Sequence, residues 1–213
     1  MNEKELEQLS ESITTGDMEA SVELTRRALA EGINPQEIIS RHMIRGMQEI
    51  GARFEAGEAY VPELLMAARA MKGALELIKP LLQGDKNATL GKAVIGTVYG
   101  DLHDIGKNLV SSMMEGCGFD VVNLGVNVTA DKFVEAAVQE QADLILCSSL
   151  LTTTMGYLQT VVEAVDRAGL RPKVKIMVGG APVTQAFATQ IGADGYSENA
   201  NAAVKVAKRL MGL

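Results

Sequence analysis

Two side chains that can do chemistry stand two residues apart in this chain, Asp101 and His103. Histidine is rare here, since the sequence contains only two. A carboxylate that holds an imidazole fixes its tautomer and orientation, which prepares the ring either as a metal ligand or as a general base. An Asp-x-His pattern is too short to separate these two functions. The secondary-structure elements around the pair are needed to distinguish a metal ligand from a general base.

The pair follows a short β-branched stretch at residues 92–98, which predicts a buried strand. Similar stretches lie at 120–124, 144–147, 174–178 and, more weakly, 193–196. Helical patterns separate them at 105–115, 130–139, 155–168, 183–190 and 199–211. This repeated β-α alternation predicts a flavodoxin-like, doubly wound, five-stranded parallel sheet. Ligands of such sheets bind beyond the carboxyl ends of the strands, where the strand order reverses.

The residues before the sheet have the apolar spacing of helices. Asp17 is a candidate N-cap, and Pro62 is a candidate first-turn residue of a later helix. The third predicted helix carries a single apolar stripe: Ile38, Ile39, Met43, Met47 and Ile50. The fold class is therefore α/β with an all-α N-terminal domain. Its predicted parts are a four-helix bundle cap over 1–84, a polar linker over 85–91 and the α/β domain over 92–213.

Composition and charge exclude several classes of protein. The 213 residues are 47% apolar and 22% charged, which allows a real core. A net charge of −7 argues against nucleic acid as the partner. No apolar run reaches the ~18 residues of a membrane helix, and the charged N-terminus does not resemble a signal peptide, so we expect a cytoplasmic protein. Cys117 and Cys147 are isolated in apolar surroundings and predict buried thiols.

Two further motifs are predicted at the same sheet edge as the Asp-His pair. A hydroxyl-rich run, 148–154, follows the third strand, and Gly179-Gly180 follows the fourth. Because the carboxyl ends of neighbouring parallel strands meet at one edge, the three motifs are expected to line one cleft. Hydroxyls donate and accept hydrogen bonds there, and glycines leave room for a bulky group.

A phosphate-binding loop is the obvious alternative for the segment that carries the Asp-His pair. Five residues rather than four separate Gly100 from Gly106. Asn108 then follows Lys107 at the position where such a loop requires serine or threonine. The segment therefore fails the test for a phosphate loop.

Taken together, the three motifs resemble the cobalamin-binding signature of methionine synthase and related corrinoid proteins. Their order is Asp101-x-His103-x-x-Gly106, then 41 residues, then Ser148-x-Leu150, then 28 residues, then Gly179-Gly180. The N-terminal helices are similar to the helical cap of that family around 51–54 and 60–63. In size and layout the chain is most similar to the stand-alone corrinoid proteins of methanol, methylamine and quaternary-amine methyltransferase systems.

The resemblance implies a bound cobalamin or related cobamide in the base-off/His-on form, with His103 as the lower axial cobalt ligand. Asp101 matches the carboxylate that holds the other ring nitrogen, and Thr154 matches the hydroxyl, often serine, that ends this relay. Phe54 and Val61 match the apolar pair over the methyl-carrying face, with Val61 in place of a leucine. The other implied cofactor-binding residues are Gly100, Leu102, Asp104, Ile105, Gly106, Ser148, Leu150, Thr152, Gly179, Gly180 and Ala200.

The implied function is a methyl carrier that is not an enzyme by itself, and no residue is assigned as catalytic. Co(I) would accept a methyl group from the substrate of a substrate-specific corrinoid methyltransferase. Methyl-Co(III) would then serve a second methyltransferase, whose acceptor is a folate, a pterin or a thiol. A reductive activase is the third implied partner, whereas neither nucleic acid nor a membrane is.

Other functions stay open at this point. A radical mutase subunit shares the signature but needs a catalytic barrel from another chain. A cobalamin-dependent sensor would be expected to carry a basic DNA-binding helix, which the acidic segment 1–23 disfavours. An ordinary flavodoxin-like module would leave the three spaced motifs unexplained. The methyl donor is open among methanol, a methylamine, a betaine and a methoxylated aromatic compound.

Overall fold

Helices alone form the N-terminal part of the chain, among the residues that the computed structural model describes, which are 3–82 and 89–213. They begin with α1 (Glu3–Thr15) and α2 (Met18–Ala30). An unbroken helical stretch follows, made of α3 (Pro35–Glu37), a π-helical segment (Ile38–Met43) and α4 (Ile44–Glu55). The last long helix is α5 (Val61–Ile78), which continues into a 3-10 turn (Lys79–Leu82).

The starts of these helices follow from local capping. The Asp17 side chain accepts a hydrogen bond from the Ala20 amide at 2.9 Å, and the Asn34 side chain accepts one from the Gln36 amide at 2.8 Å. Each bond satisfies an amide that the first turn leaves without a helical partner. The predicted apolar faces point inward and are buried, among them Leu9, Ile13, Met43, Met47, Ile50, Leu64 and Met71. The helical N-terminal domain is therefore confirmed.

The π-helical segment is a feature that the sequence does not predict. Its apolar residues keep the spacing of an ordinary helix, so the extra residue leaves no periodic signal. The neighbouring helix α1 contacts it directly, because the Ser10 hydroxyl donates to the His42 carbonyl at 2.8 Å. Gly46 allows α1 to come this close, since a Cβ there would lie 2.6 Å from the Ser10 carbonyl oxygen.

The rest of the described chain forms the predicted parallel sheet. Its strands are β1 (Lys92–Thr97), β2 (Asp120–Asn123), β3 (Leu144–Ser148), β4 (Lys175–Gly179) and β5 (Gly195–Ser197). They lie in the order β2-β1-β3-β4-β5, and every neighbouring pair is parallel. The helices after successive strands are α6 (Ile105–Gly116), α7 (Ala130–Gln139), α8 (Thr152–Met155), α9 (Tyr157–Arg167), α10 (Gln185–Gln190) and α11 (Ala200–Leu210). The flavodoxin-like prediction is confirmed, with the order reversing between β1 and β3.

Two local expectations need correction. The single helix expected over 155–168 is two helices, because α8 already begins in the hydroxyl-rich run and Gly156 separates it from α9. Ser148 and Gly179 end their strands instead of following them. The reason is that pairing continues one residue further than the apolar pattern, with Ser148 opposite both Thr97 and Gly179.

The core of the sheet domain is built around one aromatic side chain. Phe133 of α7 is fully buried and lies in a cluster of aliphatic residues from the strands and from α9. Gly96 of β1 makes room for the ring, since a Cβ at that position would lie 2.9 Å from Phe133 Cζ. The sequence is poor in aromatics, at 4%, so this ring fills a volume that few other side chains of the protein could fill.

The chain divides into two compact units. One comprises residues 1–89 with Glu115–Gly118, and the other comprises Leu90–Met114 with Phe119–Leu213. The domain limits predicted above stay a prediction, because residues 83–84 of the predicted cap and 85–88 of the predicted linker lie outside the described residues. No helix of the described chain combines the length and apolar character that crossing a membrane requires. The cytoplasmic location also stays a prediction.

Truncation of the central aromatic ring tests this account of the core. We expect Phe133→Ala to lower the free energy of unfolding by about 3–5 kcal/mol, because it removes a fully buried ring and leaves a cavity. Val138→Ala is the matched control, since Val138 lies on the same helix with 56% of its surface exposed. Urea denaturation followed by circular dichroism measures both. Equal losses in the two variants would contradict the proposed core.

Candidate functional site

The sheet brings the three predicted motifs to one edge. The last residues of β1, β3 and β4 lie side by side, because Thr97 pairs with Ser148 and Ser148 pairs with Gly179. The loops that leave these strands therefore start from adjacent positions. They carry the Asp-His pair, the hydroxyl-rich run and the glycine pair.

The Asp-His pair makes direct contact. His103 Nδ1 lies 2.7 Å from Asp101 Oδ1, and the carboxylate is fully buried while half of the imidazole surface is exposed. An ionised carboxylate can only accept hydrogen bonds, so Nδ1 carries the proton in this contact. In a neutral imidazole the other ring nitrogen, Nε2, then keeps its lone pair. This is the state in which a histidine binds a metal ion.

Asp101 is the centre of a larger hydrogen-bond group. Its Oδ1 also accepts from the His103 amide at 3.1 Å, and its Oδ2 accepts from the Leu150 amide at 2.8 Å and the Thr154 hydroxyl at 2.8 Å. The Leu151 amide lies 3.3 Å from the same oxygen. Burial by itself raises the pKa of this carboxyl. The donated hydrogen bonds outweigh burial and hold the pKa well below its ordinary value.

The loop that carries His103 is fixed from two sides. The buried Thr97 hydroxyl donates to the His103 carbonyl at 2.8 Å. Asn127 accepts from the Gly100 amide at 2.8 Å through its side chain and donates from its own amide to the Asp101 carbonyl at 3.0 Å. Sequence reasoning missed Thr97 and Asn127. Their residue types do not indicate a functional site, because a hydroxyl at a strand end and an asparagine in a loop are common in any α/β protein.

Lys107 has a structural environment unlike that of a phosphate-loop lysine. Its side chain is only 3% exposed, and Nζ donates to Asn108 Oδ1 at 2.6 Å and to Asn123 Oδ1 at 2.7 Å. Burial lowers the pKa of this ammonium group. Asn108 in turn donates to Asp104 Oδ2 at 2.9 Å. The lysine thus ties the first turn of α6 to the end of β2.

Position 180 must be a glycine because the backbone of Ser149 passes directly against it. It takes φ +126°, and a Cβ there would overlap the carbonyl oxygen of Ser149. The Ser149 amide donates to the Gly179 carbonyl at 3.1 Å, which holds the loop after β3 against the loop after β4. A Cβ at Gly179 would lie 3.0 Å from the Ser197 carbonyl oxygen. Both glycines are therefore set by close backbone packing.

Large apolar side chains are exposed on both sides of His103 and at the loop after β3. The exposed fractions are 71% for Leu102, 85% for Ile105 and 43% for Leu150. A Cβ added at Gly106 would meet no atom within 4 Å, so no protein neighbour requires a glycine there. Exposed apolar groups next to open space are typical of a surface that a ligand covers.

The remaining predicted residues occupy varied positions. Ser148 is half-buried at the end of β3, Thr152 is exposed at the start of α8, and Ala200 is buried at the start of α11. In the other unit, Phe54 is half-buried near the end of α4, and Val61 is 40% exposed as the first residue of α5. Whether these residues bind a cofactor stays a prediction.

Known proteins place the chain in a family. Two family models, both described as a B12 binding domain, match residues 5–79 and 91–205. The dimethylamine corrinoid protein of Methanosarcina barkeri is 43% identical over 98% of each chain. The chain belongs to the B12-binding corrinoid proteins. Another member of this corrinoid family, trimethylamine corrinoid protein 1 of Methanosarcina acetivorans, is 44% identical over 94% of each chain.

A solved structure also matches this corrinoid protein along its whole length. It is the crystal structure of the methanol:cobalamin methyltransferase complex from Methanosarcina barkeri. The matching chain is 29% identical, with a TM-score of 0.85, and the match covers 100% of the present chain and 81% of that chain. The predicted family and fold are thus both confirmed.

The residues of the site fit a B12 group. In its neutral form His103 would offer one unprotonated ring nitrogen, which suits a metal that takes most of its ligands from a macrocycle. Leu102, Ile105 and Leu150 offer apolar surface to a broad, flat group, and Gly106 adds no side chain in its way.

The crossing of Gly180 and Ser149 gives a direct test of the site's framework. We expect Gly180→Ala to lower the free energy of unfolding by at least about 2 kcal/mol, because the new methyl group must displace a backbone carbonyl. Gly169→Ala is the matched control: Gly169 also has positive φ, at +67°, but its Cβ would meet nothing within 4 Å. Only the conformational cost of about 1 kcal/mol remains there. If urea denaturation gave the same loss of unfolding free energy for both variants, the close contact between Gly180 and the Ser149 carbonyl would be contradicted.

Proposed function

We propose that this corrinoid protein carries methyl groups in a methylamine methyltransferase system. The observation that carries the proposal is the His103–Asp101 pair at the switch point of the sheet, with a half-exposed imidazole beside exposed apolar side chains. The relatives support the choice of donor, because those named for dimethylamine and trimethylamine are 43% and 44% identical over almost the whole chain. When bound, the cobamide supplies a cobalt centre that accepts and releases the methyl group.

In this proposal His103 would hold cobalt through Nε2, with the cofactor base-off. Asp101 keeps the proton on Nδ1 and fixes the plane of the ring. A carboxylate partner also makes the imidazole a better electron donor to the metal. Because Asp101 is held by donors from its own loop and from the loop after β3, the ring is oriented before any cofactor arrives.

The remaining roles follow the resemblance stated above. Ser148, Thr152, Leu150 and Gly179-Gly180 are proposed to accept the displaced nucleotide tail, and Ala200 is proposed to contact the edge of the ring. Phe54 and Val61 of the helical unit are proposed to shield the face that carries the methyl group. The predicted partners are a substrate-specific methyltransferase, a second methyltransferase that acts on a folate, a pterin or a thiol, and a reductive activase.

Ligation by His103 can be tested by magnetic resonance. The protein is labelled with ¹⁵N-histidine, loaded with cobamide and reduced to cobalt(II). We expect the nitrogen splitting of the electron paramagnetic resonance signal to change from a triplet to a doublet, because only a histidine ligand carries the label, whereas the cofactor's own base does not. His103→Ala should retain cofactor with lower affinity and lose the doublet.

The second histidine provides the control for that experiment. His42 lies in the helical unit, and His42→Ala should keep the doublet. A triplet in labelled wild-type protein would show that the cofactor's own base stays on cobalt, and the His-on assignment would be wrong.

The methyl donor is tested with purified partner enzymes. The protein, loaded and reduced, is incubated with monomethylamine, dimethylamine, trimethylamine or methanol, each with its substrate-specific methyltransferase. We expect methylation, seen as a change in the visible spectrum, with at least one methylamine enzyme and at least tenfold faster than with methanol. Methylation by the methanol enzyme alone would contradict the choice of donor, and methylation by none would contradict the carrier function.

A further inference from the structure

Ser149 has a buried hydroxyl between two parts of the site. The residue is fully buried, and its Oγ lies 2.9 Å from Thr154 Oγ1 and 3.3 Å from the Leu151 carbonyl oxygen. The family resemblance gives it no role, because position 149 is the unspecified residue between Ser148 and Leu150. Its hydroxyl nevertheless contacts the residue that bonds Asp101.

Counting protons fixes the direction of these bonds. Thr154 Oγ1 has one proton and three oxygen neighbours: Asp101 Oδ2 at 2.8 Å, Ser149 Oγ at 2.9 Å and the Leu151 carbonyl at 3.1 Å. A carboxylate is the strongest acceptor of the three, so the Thr154 proton points to Asp101. The contact between the two hydroxyls is then a hydrogen bond only if Ser149 donates.

The alternative acceptor for Ser149 is poor. The Leu151 carbonyl lies 3.3 Å away, beyond the usual range for a hydroxyl donor, whereas Thr154 lies within it. Donation by Ser149 polarises the Thr154 hydroxyl and makes it a better donor to Asp101. It also opposes rotation of that hydroxyl toward the Leu151 carbonyl.

The backbone of Ser149 is fixed by the glycine pair. Its amide donates to the Gly179 carbonyl at 3.1 Å, and its carbonyl oxygen occupies the space that a side chain at Gly180 would need. The position of the hydroxyl therefore depends on the turn after β4. Ser149 is the one residue among those described that bonds both to this turn and to Thr154.

We propose that Ser149 is a positioning residue for His103, which it orients through Thr154 and Asp101. It extends the Asp-His relay by one hydroxyl and connects that relay to the Gly179–Gly180 turn. The part of this inference that concerns cobalt rests on the proposed function. The part that concerns the imidazole tautomer does not.

The tautomer is measured in cofactor-free protein. With ¹⁵N-histidine labelling, the two histidines give two sets of ring signals in long-range proton–nitrogen correlation spectra. At a pH well above the ordinary histidine value, we expect wild-type His103 to be in the Nδ1–H form. Ser149→Ala should raise the minor tautomer by about 3–10-fold, the effect of one hydrogen bond. Ser111→Ala, which removes another buried hydroxyl from the same unit, should change nothing.

A double-mutant comparison separates positioning from a general loss of stability. If Ser149 acts through Thr154, adding Ser149→Ala to Thr154→Val should produce no further change in the tautomer ratio. Unchanged spectra in Ser149→Ala, or additive effects in the double variant, would overturn the proposal. A Ser149→Ala protein that fails to fold would overturn it too, since the hydroxyl would then serve the fold.

The same variants are then loaded with cobamide. We expect Ser149→Ala to lower the ratio of His-bound to base-bound cofactor by about 3–10-fold, again without effect in the Thr154→Val background. If wild-type protein shows no histidine nitrogen on cobalt, the proposed function fails, while the cofactor-free spectra still decide the role of Ser149. If wild-type protein shows a histidine nitrogen on cobalt and Ser149→Ala has the same ratio of His-bound to base-bound cofactor, the role of Ser149 is wrong while the proposed function stands.

Discussion

The buried carboxylate of Asp101 is the constraint on which the rest of the site depends. Burying a carboxylate away from water costs free energy unless its oxygens accept hydrogen bonds. Here the His103 amide and ring, the Leu150 amide and the Thr154 hydroxyl fill them. These donors come from the loops after β1 and β3, so the charge can be buried only when both loops are in place. The imidazole is one of the donors, and its orientation follows from the same requirement.

The strand order provides this arrangement. Because β1 and β3 are neighbours although β2 lies between them in sequence, a residue after one strand can bond amides some fifty positions later in the chain. The cost of ordering the two loops is then met during folding. Lys107 adds to this by joining the first turn of α6 to the end of β2, so the loop of His103 is anchored at both of its ends.

Sequence reasoning succeeded where a pattern is local or repeated. The β-α alternation predicted the sheet, and the family resemblance implied that Thr154 lies next to Asp101, where the structure has it. It missed residues whose role depends on the exact path of the backbone. Thr97, Asn127 and Ser149 are ordinary polar residues in the sequence, and only the folded chain shows what their hydrogen bonds hold. The glycine pair was interpreted as room for a ligand, whereas Gly180 is also required by the Ser149 carbonyl.

The π-helical segment has a consequence for the helix that follows it. One additional residue turns everything beyond it by about 100° around the helix axis. A change in the length of Ile38–Met43 would therefore rotate Met47 and Ile50 of α4, which are both buried, away from their present positions. The length of the segment determines which side of α4 faces the interior of the bundle. A natural deletion there would be tolerated only if the apolar pattern downstream shifted with it, so chain length and side-chain pattern in this region are expected to change together or not at all.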